Sequence, residues 1–109
     1  LLTNNLVLEL LPIFDNYQIA INHIPEAEKT SSWAVGLEHI LKMWETFLSD
    51  HSVTRIKTLG EEFNPHIHEA LDQVNEEDKK DQEIVEEKQA GFMLNEDVIR
   101  PAKVIINNK

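Results

Sequence analysis

From about Ser52 onward the hydrophobic pattern of this chain changes period, and no single class of secondary structure fits both sides of the change. Before it, Leu6, Leu10, Ile13, Tyr17, Ala20 and Ile24 are spaced 4, 3, 4, 3 and 4. That is the stripe of a helix in a coiled-coil seam. A second stripe, Val7, Leu11, Phe14 and Ile21, lies beside it. Two adjacent stripes are wider than one helix pair needs, so the helix is expected in a bundle. Pro12 removes one helical hydrogen bond at a cost of about 3 kcal/mol and predicts a kink. Pro25 ends the helix, because Ile24 before it is pushed toward extended geometry.

Glu26 to Ser32 reads as a polar connector, in which Thr30, Ser31 or Ser32 can cap the next helix. That helix carries Trp33, Leu37, Ile40, Trp44 and Phe47, again spaced 4, 3, 4 and 3, with Leu41 and Leu48 widening the stripe. Trp33 and Trp44 fit this stripe and read as core anchors. Gly36 costs about 1 kcal/mol relative to alanine and marks a close approach of another helix or a tolerated exception. Two such helices form a hairpin with one apolar side uncovered. Pairing two hairpins into a four-helix bundle covers it, which predicts a homodimer; the second half of the chain could cover it instead.

Beyond Ser52 the candidates are short strands. They are Val53–Ile56, Ile84–Gln89, Met93–Leu94, Val98–Arg100 and Val104–Ile106, separated by turn-prone pieces. Gly60 to Pro65 reads as a loop, with Asn64-Pro65 as its turn signal. His66 to Val74 fits a turn plus strand better than a helix. Asn75 to Asp81 reads as a solvated charged loop, and Gly91 as a bend or bulge. The expected fold is therefore α+β. Residues 1–51 form a helical dimerisation region and 52–109 a compact all-β domain. The chain opens at Leu1-Leu2 with the helical period already running, so the first helix is expected to start further upstream.

Composition narrows the function. Asp and Glu number 20 against 10 Lys and Arg, for a formal charge of −10. Such a balance repels phosphate backbones and anionic lipid, so neither nucleic acid nor membrane is an expected partner. Cysteine is absent, which removes disulfides, thiolate nucleophiles and thiolate metal sites. No apolar run approaches the roughly 18 residues of a membrane span, and no signal segment opens the chain. A cytoplasmic location is expected. His66-Ile67-His68 would place two imidazoles on one face of a strand, but no third ligand is near, and both read as polar or structural residues. No nucleophile elbow, phosphate loop or zinc-protease motif occurs. The pattern is that of a binding protein rather than an enzyme, with no cofactor and no metal.

Phe63-Asn64-Pro65-His66-Ile67-His68-Glu69-Ala70-Leu71, then Gly91-Phe92, then Val98-Ile99-Arg100-Pro101-Ala102-Lys103-Val104 resemble the motifs of the GrpE family. Glu9-Leu10-Leu11-Pro12-Ile13-Phe14-Asp15-Asn16 and Gly36 to Lys42 resemble its helices, so the resemblance covers almost the whole chain. It implies a homodimer whose four-helix bundle carries a β-domain from each subunit. It also implies that one β-domain engages the nucleotide-binding domain of a DnaK-type chaperone and promotes ADP release. The two helical stripes place the dimer contacts at Leu6, Leu10, Ile13, Tyr17, Leu37, Ile40 and Trp44. The resemblance places chaperone contacts at Phe63, Pro65, Asp97 and Ile106, with Ile19, Asn22 and His23 on the first helix. Gly91, Arg100, Pro101 and Ala102 are implied to maintain the fold. The chain departs from the family pattern at three of these places. Asp97 stands where a basic residue is usual, Ile19 where arginine is frequent, and Asn22 where some members have glutamate. A dimeric scaffold of the same fold with weakened exchange is the alternative.

Overall fold

The computed structural model describes residues 2–109, with side chains from Asn5 onward. The chain divides into two compact units between Ser52 and Val53.

The first unit is a helical hairpin. Helix α1 spans Leu2–Asn22 and continues through Pro12. A short 3-10 turn, Glu26–Glu28, begins just after Pro25. Here the Glu26 carboxylate lies 2.8 Å from the Lys29 ammonium and, by accepting its hydrogen bond, raises the Lys29 pKa above the ordinary value. Helix α2 spans Ser32–Asp50. Of the three candidate caps, Ser31 is used: its hydroxyl accepts from the Ala34 N–H at 3.3 Å and donates to the Glu28 carbonyl at 2.6 Å. This satisfies one of the free N–H groups of the first turn and ties the connector to the helix. The Tyr17 hydroxyl donates to the Leu37 carbonyl at 2.7 Å, linking α1 to α2. After α2 the chain turns through Ser52 at φ 63°, a left-handed conformation of the kind that commonly ends helices.

Only one of the two stripes on α1 is buried. Val7, Leu11, Phe14 and Ile21 are 2–5% exposed. The coiled-coil stripe beside them is more open, with Leu6 at 54% and Ile13 at 58%, Leu10 and Tyr17 half-buried, and Ile24, past the end of the helix, buried. On α2 the same division holds. Ala34, Leu41 and Leu48 are buried, whereas Trp33, Ile40 and Phe47 are exposed. Trp33 is thus no anchor of the core within one chain, contrary to the expectation from its place in the stripe.

The second unit is a β-module of two three-stranded sheets. In the first, β4 (Phe92–Leu94) lies between β1 (Val53–Arg55) and β5 (Asp97–Arg100), all antiparallel. In the second, β6 (Ala102–Asn107) is central, parallel to β2 (His68–Val74) and antiparallel to β3 (Ile84–Gln89). A central strand is covered on both edges, and β6 accordingly carries Ala102, Val104 and Ile106, with period two, into the core. Ile56 and Ile84 complete that core, and Phe63, Ile67 and Met93 pack against it. The Glu87 carboxylate on β3 pairs with the Arg55 guanidinium on β1 and accepts from the buried Thr58 hydroxyl at 2.6 Å, cross-linking the two sheets.

Two local features give the family-like motifs a physical reason. Gly91 lies where the backbone of Pro101-Ala102 passes so closely that a Cβ would sit 2.3 Å from Ala102 N. Close approach, rather than a bulge, requires glycine here. Arg100 donates through Nε to the Ala90 carbonyl at 3.0 Å and stands 5.7 Å from the Phe92 ring centroid. The Gly-aromatic pair and the Arg-Pro-Ala run are therefore two sides of one contact.

Candidate functional site

The β-module presents a loop built around Asn64. The Asn64 side-chain oxygen accepts from the His66 N–H at 2.9 Å, and its carbonyl accepts from Ile67 and His68 at 3.0 and 2.8 Å. Its own N–H donates to His68 Nδ1 at 3.0 Å. The Asn64 N–H, carbonyl and side-chain oxygen are thus all used to close a turn, and Pro65 and His66 are left exposed at its tip. Phe63 stands behind the tip, half-buried on the core, with its ring centroid 6.1 Å from that of His68. The Phe63 N–H donates to the Gln82 carbonyl at 2.8 Å, and the Ala102 N–H to the Ile67 carbonyl at 3.1 Å. Those two bonds fasten the loop at both ends.

His66 and His68 do not form a metal pair. His66 lies in the turn and is exposed, while His68 opens β2 and is 4% exposed. Both nitrogens of His68 are engaged, Nδ1 with Asn64 and Nε2 with the Lys57 carbonyl at 2.9 Å. Among the described residues no three His, Asp or Glu side chains gather into a metal-ligating cluster. Likewise, none of the described helices is long and apolar enough to cross a membrane.

Asp97 is exposed at the start of β5 and pairs in register with Leu94 across a two-residue turn, Asn95-Glu96, in which Asn95 adopts φ 54°. Ile106 is different. At 3% exposure its side chain is part of the core. The hydrophobic period of β6 demands that placement. On the helical unit, Ile19, Asn22 and His23 are exposed at the end of α1. His23 Nδ1 lies 2.8 Å from the Ile19 carbonyl, and the Asn22 side chain accepts from Gln18 at 3.4 Å.

The open side of the hairpin forms a groove of about 350 Å³ lined by Leu10, Ile40, Met43, Trp44 and Phe47. Of the residues implied for dimerisation, Leu6, Ile13 and Ile40 are exposed, and Leu10, Tyr17, Leu37 and Trp44 are half-buried. Trp44 and Phe47 meet edge to face, with ring centroids 6.0 Å apart. All five side chains lining this groove are apolar.

With this geometry in view, the comparison with known families is direct: the GrpE family model matches residues 2–108. The chain belongs to the GrpE family. Protein GrpE of Halalkalibacterium halodurans is 39% identical over 103 residues, covering 94% of this chain and 53% of the relative. Protein GrpE of Bacillus velezensis is 35% identical over 105 residues, covering 96% and 55%. That of Acidobacterium capsulatum is 38% identical over 96 residues, covering 88% and 45%. The chain therefore spans about half the length of the GrpE relatives it matches.

Asn107 is a structural centre that sequence reasoning missed. It is fully buried, and its amide donates to the carbonyls of Glu76, Lys79 and Lys80 at 3.0–3.1 Å while accepting from the Glu76 N–H at 2.7 Å. The Asn75–Asp81 segment, expected as a merely solvated loop, is folded around this side chain. A single asparagine at position 107 carries no pattern that would disclose the role.

Proposed function

We propose that the protein is a GrpE-type nucleotide exchange factor. Two copies join through their helical units, and a β-module engages the nucleotide-binding domain of a DnaK-type chaperone and promotes ADP release. The observation that carries this reading is the apolar seam left open along both helices, in a chain whose family is established. Leu6, Leu10 and Ile13 of α1 and Ile40 and Trp44 of α2 supply the dimer contacts, with Tyr17 and Leu37 fixing the hairpin behind them. Phe63, Pro65 and Asp97 of the β-module, and Ile19, Asn22 and His23 of α1, supply the chaperone contacts. Ile106 contributes indirectly, as part of the core against which Phe63 packs.

No bond chemistry is required. An exchange factor acts by binding the open, nucleotide-free chaperone more tightly than the ADP-bound form. Reciprocity then requires ADP to weaken the factor's binding by the same ratio. A hundredfold preference corresponds to about 2.7 kcal/mol, and equal affinity for the two states shifts nothing. The test is release of a fluorescent ADP analogue from a DnaK-type chaperone, with and without the protein. Acceleration at micromolar concentrations is expected; an unchanged rate refutes the reading. The exposed acidic Asp97 favours one alternative, a dimeric scaffold with weakened exchange, which predicts a normal dimer that does not bind the chaperone.

A further inference from the structure

The loop carrying Phe63 and Pro65 is closed by one buried imidazole. Asn64 N–H donates to His68 Nδ1, so that nitrogen bears no proton. His68 Nε2 faces the Lys57 carbonyl, which can only accept, so Nε2 carries the proton. The side chain thus acts as a bridge, accepting from the loop on one side and donating to the segment after β1 on the other. It also packs beside Phe63. No other side chain reaches the Asn64 N–H within hydrogen-bond distance among the described residues, and Asn64 in turn closes the turn at whose tip Pro65 stands.

From this arrangement we infer that His68 is a positioning residue: through its Nδ1 it sets the shape in which Phe63 and Pro65 are presented, without touching the partner. The effect on chaperone binding rests on the exchange-factor reading above; the effect on the loop does not. The two halves of the bridge can be removed separately. Asparagine places an oxygen near the position of Nδ1 and keeps the acceptor for Asn64 while losing the reach to Lys57. Glutamine places its amide nitrogen near the position of Nε2 and keeps the donor to Lys57 while losing the acceptor.

The experiment compares the full chain with its His68→Asn and His68→Gln variants in two measurements. The first is amide hydrogen exchange at Asn64 in the protein alone. His68→Gln is expected to exchange at least tenfold faster than wild type, and His68→Asn within about threefold of it. The second is affinity for the nucleotide-free nucleotide-binding domain of a DnaK-type chaperone, by calorimetry. His68→Gln is expected to bind about tenfold more weakly, with His68→Asn restoring most of the loss, although both variants lose one core hydrogen bond and melt earlier. A merely stabilising histidine would give the two variants the same affinity and the same Asn64 exchange, and that result overturns the inference. So does an Nδ1–H tautomer in the long-range imidazole 15N spectrum. If wild type fails to bind the chaperone, the exchange-factor reading falls, while the Asn64 exchange rates still decide whether His68 shapes the loop.

Discussion

Gly91 lies where β3 gives way to β4, and a Cβ built on it would stand 2.3 Å from Ala102 N, 2.7 Å from Pro101 C and 2.8 Å from Ala102 Cα. All three are backbone atoms where the chain enters the central strand β6, so the contact cannot be relieved by turning a side chain. Gly91→Ala is therefore expected to cost the β-module about 3 kcal/mol, read as a lower urea midpoint for its unfolding. Pro65 is the opposite case. Its ring is exposed and donates no hydrogen bond, and the turn beneath it is closed by Asn64. Pro65→Ala should leave the melting temperature within a degree or two and weaken chaperone binding by about 1 kcal/mol, measured by calorimetry. An unchanged affinity would remove Pro65 from the proposed contact surface.

The two faces of α1 separate folding from association. Ile13 belongs to the exposed stripe and Leu11 to the buried one, although they are two residues apart. Ile13→Asp places a charge on a surface that is open within one chain, so helix content should persist. If that surface pairs in a bundle, the same charge becomes buried and unpaired, and association should weaken by about 3 kcal/mol or more. Sedimentation at micromolar concentration is expected to show half the wild-type mass. Leu11→Asp puts its charge inside the hairpin and should reduce the circular dichroism at 222 nm instead. A variant of Ile13 that sediments with wild-type mass would exclude this face from the dimer.

The molecule as a whole combines two units of different self-sufficiency. The β-module has its own core of Ile56, Ile84, Ala102, Val104 and Ile106 and its own cross-link through Glu87. The helical unit buries one stripe and leaves the other open. Thermal unfolding followed at 222 nm should therefore show a helical transition that moves to lower temperature on dilution, as mass action requires of an associating unit. A transition followed through near-ultraviolet signals or amide resonances of the β-module should not move with concentration. Coincident, concentration-independent transitions would contradict a fold completed by association.

The sequence by itself determined where helices give way to strands and which residues could be apolar seams. Those features follow from spacing along the chain, and spacing is local: periods of 3.6 and 2 dictate which side chains share a face. Ile84–Gln89 was legible to the residue, and the Ser31 cap was among three adjacent candidates. Which of two neighbouring stripes is buried was not legible, because both have helical period and only packing against α2 distinguishes them. The parallel pairing of β2 with β6 joins segments about 30 residues apart, and nothing in either segment specifies its partner. Resemblance assigns Ile106 to the chaperone-facing surface without reference to its burial; the central place of β6 turns that side chain into the core. His68 and Asn107 read as polar residues in isolation. They became centres of hydrogen bonding once the fold enclosed them, because a buried polar group must find its partners and those partners lie far along the chain.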